Sequence, residues 1–465
     1  MGDCPATTLS TAISACLNEI EASLIGRVSV NAAVRGHHAN ALTVIAAQAP
    51  DAVVWPETTA EVSHIAETAA RHRIPLIAYG AGTSLEGHVN APFGGISIDF
   101  SRMNKVLAVR ASDMDCTVEA GVTLQQLNAD LRSTGLFFPV DPGAEHATLG
   151  GMAATRASGT TTVRYGSMRD NVVSMTAVLA SGEIVRTARR ARKSAAGYDL
   201  TRLLVGSEGT LGLITELTLK LYGVPEQVLA AVASFDTVAA ACRAATAAIQ
   251  CGLGLARVEL MDVVQLQCVN AHSKLGLDEA PTLFLEFHGS PAACSSDFDT
   301  FAALSSDEGA RGVRSATIEA DRRQLWKARH DAFWAVKAAW PGKQVLVTDV
   351  AVPLSRLAEA VTATADDIAE SGLTAPIVGH VGDGNFHAIV VHDPSDSAEA
   401  RRVEAFLDRL VARALALDGT ATGEHGIGQG KARFMRAEHG PALDVMRSIK
   451  QALDPLGILN PGKIF

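Results

Sequence analysis

No two cysteines in this sequence are spaced C-x-x-C. The seven that occur, at 4, 16, 116, 242, 251, 268 and 294, are odd in number. That pattern points to reduced thiols in a cytoplasm-like compartment rather than to a disulfide framework. There is no C-x-x-C-H and no iron–sulfur cysteine set, so any electrons must leave to a separate carrier. Aromatics make up only 5% and the net charge is −10. Both argue against nucleic acid, which wants basic patches and stacking rings. A signal peptide is not expected: the first basic residue is Arg27, and Asp3 sits where a positive charge belongs. No apolar run reaches about 18 residues, so no segment should span a membrane. The expected location is the cytoplasm, with peripheral contact at the inner face of the membrane left open.

What the sequence does hold is apolar mass. Hydrophobic residues fill 48% of 465 positions, enough for a large core and two or three domains. Residues 1–50 read as mostly helical. From 51 to 225 short apolar runs such as "DAVVW", "IPLIAY", "GISIDF" and "LITELTLKL" alternate with helical stretches and loops dense in Gly, Thr and Ser. From about 228 to 420 Ala-rich helices alternate with strands such as "APTLFLEFHG" and "QVLVTDVAVP", which suggests an antiparallel sheet. Residues 421–465 give a Gly/Thr loop, a helix around "GPALDVMRSIKQALD" and the tail "PLGILNPGKIF". The fold class is α+β, divided at 1–225, 226–420 and 421–465.

Three glycine-rich segments stand out. "IPLIAYGAGTSLEGHVN" runs a strand into Gly80-Ala81-Gly82-Thr83-Ser84, with Gly87 beyond. Such a loop can turn successive N–H groups inward as an anion nest. Its spacing is not G-x-G-x-x-G, and no helix reads after it, which disfavours a Rossmann site. Nor is it the G-x-x-x-x-G-K-S/T of a P-loop; a plain turn is the other reading. "DPGAEHATLGGMAATRASGTTTVRYGSMRDNV" and "LVGSEGTLGLIT" add Gly150, Gly151, Ala153, Ala154, Ser158, Gly159, Gly206, Gly209 and Gly212. Together they suggest backbone approaching a long, flat, phosphorylated ligand at several points.

"PIVGHVGDGNFHAIVV" places His380 and His387 in an apolar stretch. Asp383-Gly384 is a signal for a two-residue hairpin turn. That turn pairs His380 with His387 on one face, together with Val378, Ile389 and Val391. Ile377, Phe386, Ala388 and Val390 take the other face. Both faces are apolar, so the hairpin is interior and its imidazoles need partners. A divalent metal would serve both; backbone carbonyls around two core histidines would also do.

"LWKARHDAFWAVKAAW" reads as an amphipathic helix with Leu325, Ala332, Phe333, Val336 and Trp340 on its apolar stripe. Arg329 falls within that stripe. A buried arginine wants a carboxylate, either a ligand's or that of an internal Asp or Glu.

The three glycine segments, in this order, resemble the FAD-binding domain of the vanillyl-alcohol oxidase type of flavoprotein. "GHVGDGNFH", "GTATGEHGIGQGK" and "LDPLGILNPGKIF" resemble its D-2-hydroxyacid dehydrogenase branch, which includes FAD-linked D-lactate dehydrogenases and the glycolate oxidase FAD subunit. The resemblance covers nearly the whole chain from about residue 40. It implies a two-part FAD-binding domain, with 421–465 returning to it, and an α+β cap domain that takes the substrate. It implies FAD held without a covalent bond, because members that tether flavin through the first loop carry a histidine where this chain has Thr83 and Ser84. The flavin contacts it implies are Gly80, Ala81, Gly82, Thr83, Ser84, Gly87, Pro142, Thr148, Gly151, Ala154, Ser158, Gly159, Glu208, Gly209 and Ile214. It assigns His380, His387 and Glu424 to a divalent metal (Zn, Mn or Fe), His425 to the catalytic base, and Arg329 to the substrate carboxylate.

The reaction so implied is oxidation of a D-2-hydroxyacid to the 2-oxoacid, with hydride passing to flavin N5 and electrons going on to a quinone, a cytochrome or an electron-transfer protein. Members acting on 2-hydroxyglutarate carry a lysine just before the "D-L/V-x-x-P" strand end. Here that stretch holds Val347 and Thr348, which favours a monocarboxylate, D-lactate first, although Arg164, Arg169 and Lys343 could supply a second cation. An FAD subunit of a glycolate-oxidising complex and a D-2-hydroxyglutarate dehydrogenase are the alternatives. A non-redox flavin-fold transferase, a metal-dependent lyase and a nucleotide-binding module are the readings from other classes.

Overall fold

The computed structural model describes residues 11–39 and 42–465. The helical reading of 1–50 holds for Thr11–Ser23 and Ala32–His37, whereas 42–45 forms bends and 46–50 is irregular; positions 1–10, 40 and 41 lie outside the described residues. A first sheet orders the strands Val28–Ser29, Ala52–Val54, Ile96–Asp99 and Leu76–Tyr79, and its last three are parallel. The helix Thr59–His72 makes the crossover. Thr58 caps it by accepting from Glu61 N, and Val62, Ile65, Ala66 and Ala69 form its buried stripe. The end of the chain comes back to this sheet: Leu76 N donates to the Ile458 carbonyl at 2.8 Å and Leu459 bridges Leu76. A second, antiparallel sheet of five strands runs from Val106–Arg110 to Ile184–Arg186 with Leu213–Lys220 at its centre.

The third sheet has eight strands, antiparallel throughout, between two helical layers. One face packs against the helices Val238–Gln250, Leu357–Ser371 and Ser397–Ala416, and the other against Val263–Ser273, Glu319–His330 and Ala332–Ala339. The sequence expectation of one helix through "LWKARHDAFWAVKAAW" is corrected here. The helix stops at His330, Asp331 intervenes, and a second short helix carries Ala332, Ala335 and Val336 into the core. Among the described residues no helix is long and apolar enough to cross a membrane.

The histidine hairpin lies in this sheet. Its faces divide as expected: Ile377, Phe386, Ala388 and Val390 join one core, and Val378, Ile389 and Val391 the other. Its register does not. Val378 faces His387, so the imidazoles are diagonal rather than opposed neighbours. The turn is the longer Val381–Asp383 3-10 turn closed by Gly384 at φ 76°, with Asn385 N donating to the His380 carbonyl at 3.3 Å. A two-residue type I′ turn needs positive φ at both centres; Asp383 lacks it. The shift is two residues, an even slip, which leaves every side chain on its expected face.

Candidate active site

A long cleft separates the first two sheets, with about 1250 Å³ of unfilled space including its mouth. Its glycine-rich walls, drawn from three separate segments, suit a dinucleotide. Gly80 to Ser84, Pro142, Thr148, Gly151, Ala154, Ser158, Glu208, Gly209 and Ile214 all line it. Among the described residues no Lys or Arg does, so phosphates there would rest on backbone N–H groups, as the glycine loop suggests. Gly87 and Gly159 are not among the lining residues. Gly159 packs on the Asp141 carbonyl, where a Cβ would fall 1.6 Å from the oxygen, and Gly87 faces Gln429 and Ile45. Glu208 also pins the loop that carries Glu424 and His425, because its oxygens accept from Ile427 N at 2.7 Å and Gly428 N at 2.8 Å.

That loop closes the end of the cleft, and the third sheet's histidines meet it there. His380 Nδ1 lies 2.6 Å from Glu259 Oε1, and His387 Nδ1 lies 2.8 Å from the Thr348 carbonyl. Both partners can only accept, so both Nδ1 atoms carry the proton. The two Nε2 atoms then turn to a single point: each is 3.2 Å from Glu424 Oε1. Ligands about 2.0–2.1 Å from a tetrahedral ion lie roughly 3.3 Å from one another, so these spacings fit a divalent metal. Imidazoles held by a carboxylate and a carbonyl through their far nitrogens are the usual partners of such ions. A second grouping, Asp349, His387 and His425, is also close enough. Its carboxylate is already engaged, by Thr422 Oγ1 at 2.6 Å, the backbone N–H groups of Glu424 and His425 at 3.0 Å each, and Asn385 Nδ2 at 2.7 Å.

Charge supports the first grouping. Glu259, Asp349 and Glu424 crowd one centre. Arg329 answers Glu259 at 2.5 Å and Lys431 answers Asp349 at 3.4 Å. Among the described residues Glu424 pairs only with imidazoles. Burial pulls the His380 imidazole down, but the charges of Glu259 and Glu424 outweigh it and raise it to about 10. Hence the field calls for a cation, either protons on the histidines or an ion between them.

His425 lines the glycine-walled cleft and stacks on His387, with ring centroids 5.1 Å apart and planes at 11°. Burial pushes its imidazole down to about 4, and its Nδ1 is buried without a partner among the described residues. Ser158 Oγ donates to Glu424 Oε2 at 3.3 Å and so links cleft and centre. Arg329 uses Nε on Glu259, while Nη2 lies 3.4 Å from His380 Nε2. The internal partner is therefore real, and the outer face of its fork still points to the centre. Arg164 and Lys343 are engaged elsewhere, by the Gly254 carbonyl and Asp393, and Arg169 is exposed. Sequence reasoning missed Glu259, Asp349, Lys431 and His88. The first two carried the signal that marked Arg329, a charge inside an apolar run ("LARVELM", "VLVTDVAV").

Two family descriptions match: "FAD linked oxidases, C-terminal domain" over residues 224–464 and "FAD binding domain" over residues 50–188. The probable mitochondrial D-lactate dehydrogenase of Danio rerio is 48% identical, covering 94% of this chain and 88% of its own. The mitochondrial D-lactate dehydrogenase (cytochrome) of Arabidopsis thaliana is 45% identical over 89% of this chain and 73% of its own. Among solved structures, p-cresol methylhydroxylase shares the fold with a TM-score of 0.81 at 16% identity, covering 98% of this chain and 97% of its own.

Proposed function

The chain belongs to the FAD-linked oxidases, and from that premise we propose that it oxidises a D-2-hydroxyacid, D-lactate first, to the 2-oxoacid. FAD is its cofactor. One observation carries the reading: the flavin cleft ends where two imidazole Nε2 atoms, Glu424, His425 and Arg329 face one another. The cleft would hold FAD, which would supply the hydride acceptor, and His380, His387 and Glu424 would hold a divalent ion, which would supply Lewis acidity at the substrate hydroxyl.

The remaining work falls to side chains. Arg329 offers its fork to the carboxylate. His425, neutral through burial, accepts the hydroxyl proton. Glu208 and Asp349 hold the loop so that His425 stays at the cleft wall. Lys431 is committed to Asp349, and Arg164 and Lys343 are engaged elsewhere, so among the described residues no further cation faces the centre unpaired, which favours a monocarboxylate over 2-hydroxyglutarate. Electrons leave to a separate acceptor, and the cytochrome in the name of the Arabidopsis relative makes a cytochrome the one we favour over a quinone or an electron-transfer protein. The described cysteines are all free, which fits a reducing compartment.

Anaerobic D-lactate should bleach the yellow flavin band within one turnover, and L-lactate should leave it. Arg329, the metal and the flavin face fix three points around the α-carbon, so only one enantiomer can aim its C–H at the flavin. Equal bleaching by both enantiomers, or by neither, would refute the assignment. Acid precipitation should release free FAD into the supernatant. A yellow pellet would instead show a tether, and His88, which lines the cleft, is the side chain to examine.

A further inference from the structure

Glu259 is fully buried, on the strand Leu255–Met261. Leu260 faces Gly379 across the sheet, and the same register puts Glu259 opposite His380. The helix Glu319–His330 lays Arg329 over that face. One carboxylate thus serves two stations: Oε1 accepts from His380 Nδ1 at 2.6 Å, and Oε2 accepts from Arg329 Nε at 2.5 Å. A buried anion with both oxygens committed to charged or chargeable donors is held by geometry as well as by field.

We infer that Glu259 is a positioning residue that couples metal binding to substrate binding. The inference rests on the metal and carboxylate roles proposed above. Through Oε1 it keeps the proton of His380 on Nδ1, so that Nε2 presents a lone pair to the ion. Through Oε2 it fixes the Arg329 fork with Nε occupied and the terminal nitrogens turned inward. Because one rigid group orients both, loosening it loosens both. A glutamine in its place offers a single acceptor oxygen, and its NH₂ group must then meet either His380 Nδ1–H or Arg329 Nε–H, donor against donor. An aspartate keeps the charge but is one methylene too short to reach both.

The test uses purified, FAD-loaded wild type, Glu259→Gln and Glu259→Asp. Zinc affinity is measured without substrate, by competition with a chromophoric chelator, and KM and kcat for D-lactate at saturating zinc. In Glu259→Gln zinc should bind about 10- to 100-fold more weakly, the usual cost of losing such a supporting partner. KM should rise roughly tenfold or more, as for a lost hydrogen bond to a charged group, while kcat at saturating zinc changes less. Glu259→Asp should fall between, and it decides by the same two numbers should the glutamine variant yield no flavoprotein. Zinc affinity and KM both at wild-type values, even with a lowered melting temperature, would overturn the inference and leave Glu259 a merely structural residue. A change in one quantity without the other would overturn the coupling. A wild type that takes up no divalent metal at all would instead sink the metal reading, and this inference with it.

Discussion

Replacing His387 with alanine is expected to remove metal and turnover together while the flavin spectrum stays. The flavin-lining residues lie in other segments, whereas His387 gives one of two imidazole nitrogens facing Glu424. With His380 and Glu424 alone, a bound ion would lose one of the three protein ligands proposed for it. Lewis-acid stabilisation amounts to several kcal/mol, so loss of the ion should slow flavin reduction by about 100-fold or more. Exhaustive chelation of the wild type should do the same, and added Zn²⁺, Mn²⁺ or Fe²⁺ should restore the rate. The variant also leaves the Thr348 carbonyl without its donor, a stability loss of about 1–3 kcal/mol. The competing account, a pair of core imidazoles tied to Glu259 and a carbonyl, predicts that stability loss alone. Full activity after chelation, with no metal by elemental analysis, would decide for it.

The hairpin shows how far sequence could reach. Its two faces were legible because side chains alternate with period two whatever the turn. The register was not, because Asp383-Gly384 is also compatible with a longer turn. That turn buries Val381 and seats Gly384 against the Val352 carbonyl, tertiary contacts that no local pattern encodes. Arg329 was legible as a charge out of place on an apolar stripe. Its partner was not: Glu259 stands 70 residues away and meets it only through the sheet. The same holds for Asp349. It sits in plain view within "VLVTDV", yet its role as the hub under Thr422, Glu424, His425 and Asn385 depends on a loop that returns from the far end of the chain. The glycine loops gave the cleft because close backbone approach is a local demand. They overreached at Gly159, where the close approach is to the protein's own Asp141 carbonyl.

His425→Ala should separate proton transfer from metal binding. His425 is next to Glu424 but supplies no nitrogen to the His380–His387–Glu424 grouping; its Nε2 lies 3.7 Å from Glu424 Oε1, against 3.2 Å for the other two. Its buried Nδ1 has no partner among the described residues, as suits a group that exchanges a proton with substrate. Removing it should therefore leave FAD bound and metal content near that of the wild type. The rate of anaerobic flavin reduction by D-lactate should fall about 10²- to 10⁴-fold, the range for loss of a general base. The stacked His387 ring loses one covering face, so metal affinity can drop a little without altering the argument. Two results would defeat it. A wild-type reduction rate would show that the proton leaves by another route. Loss of metal in step with the rate would move His425 into the ligand set, through the alternative grouping with Asp349 and His387. The two outcomes differ in metal content and rate, so one dialysed sample, measured for both, tells them apart.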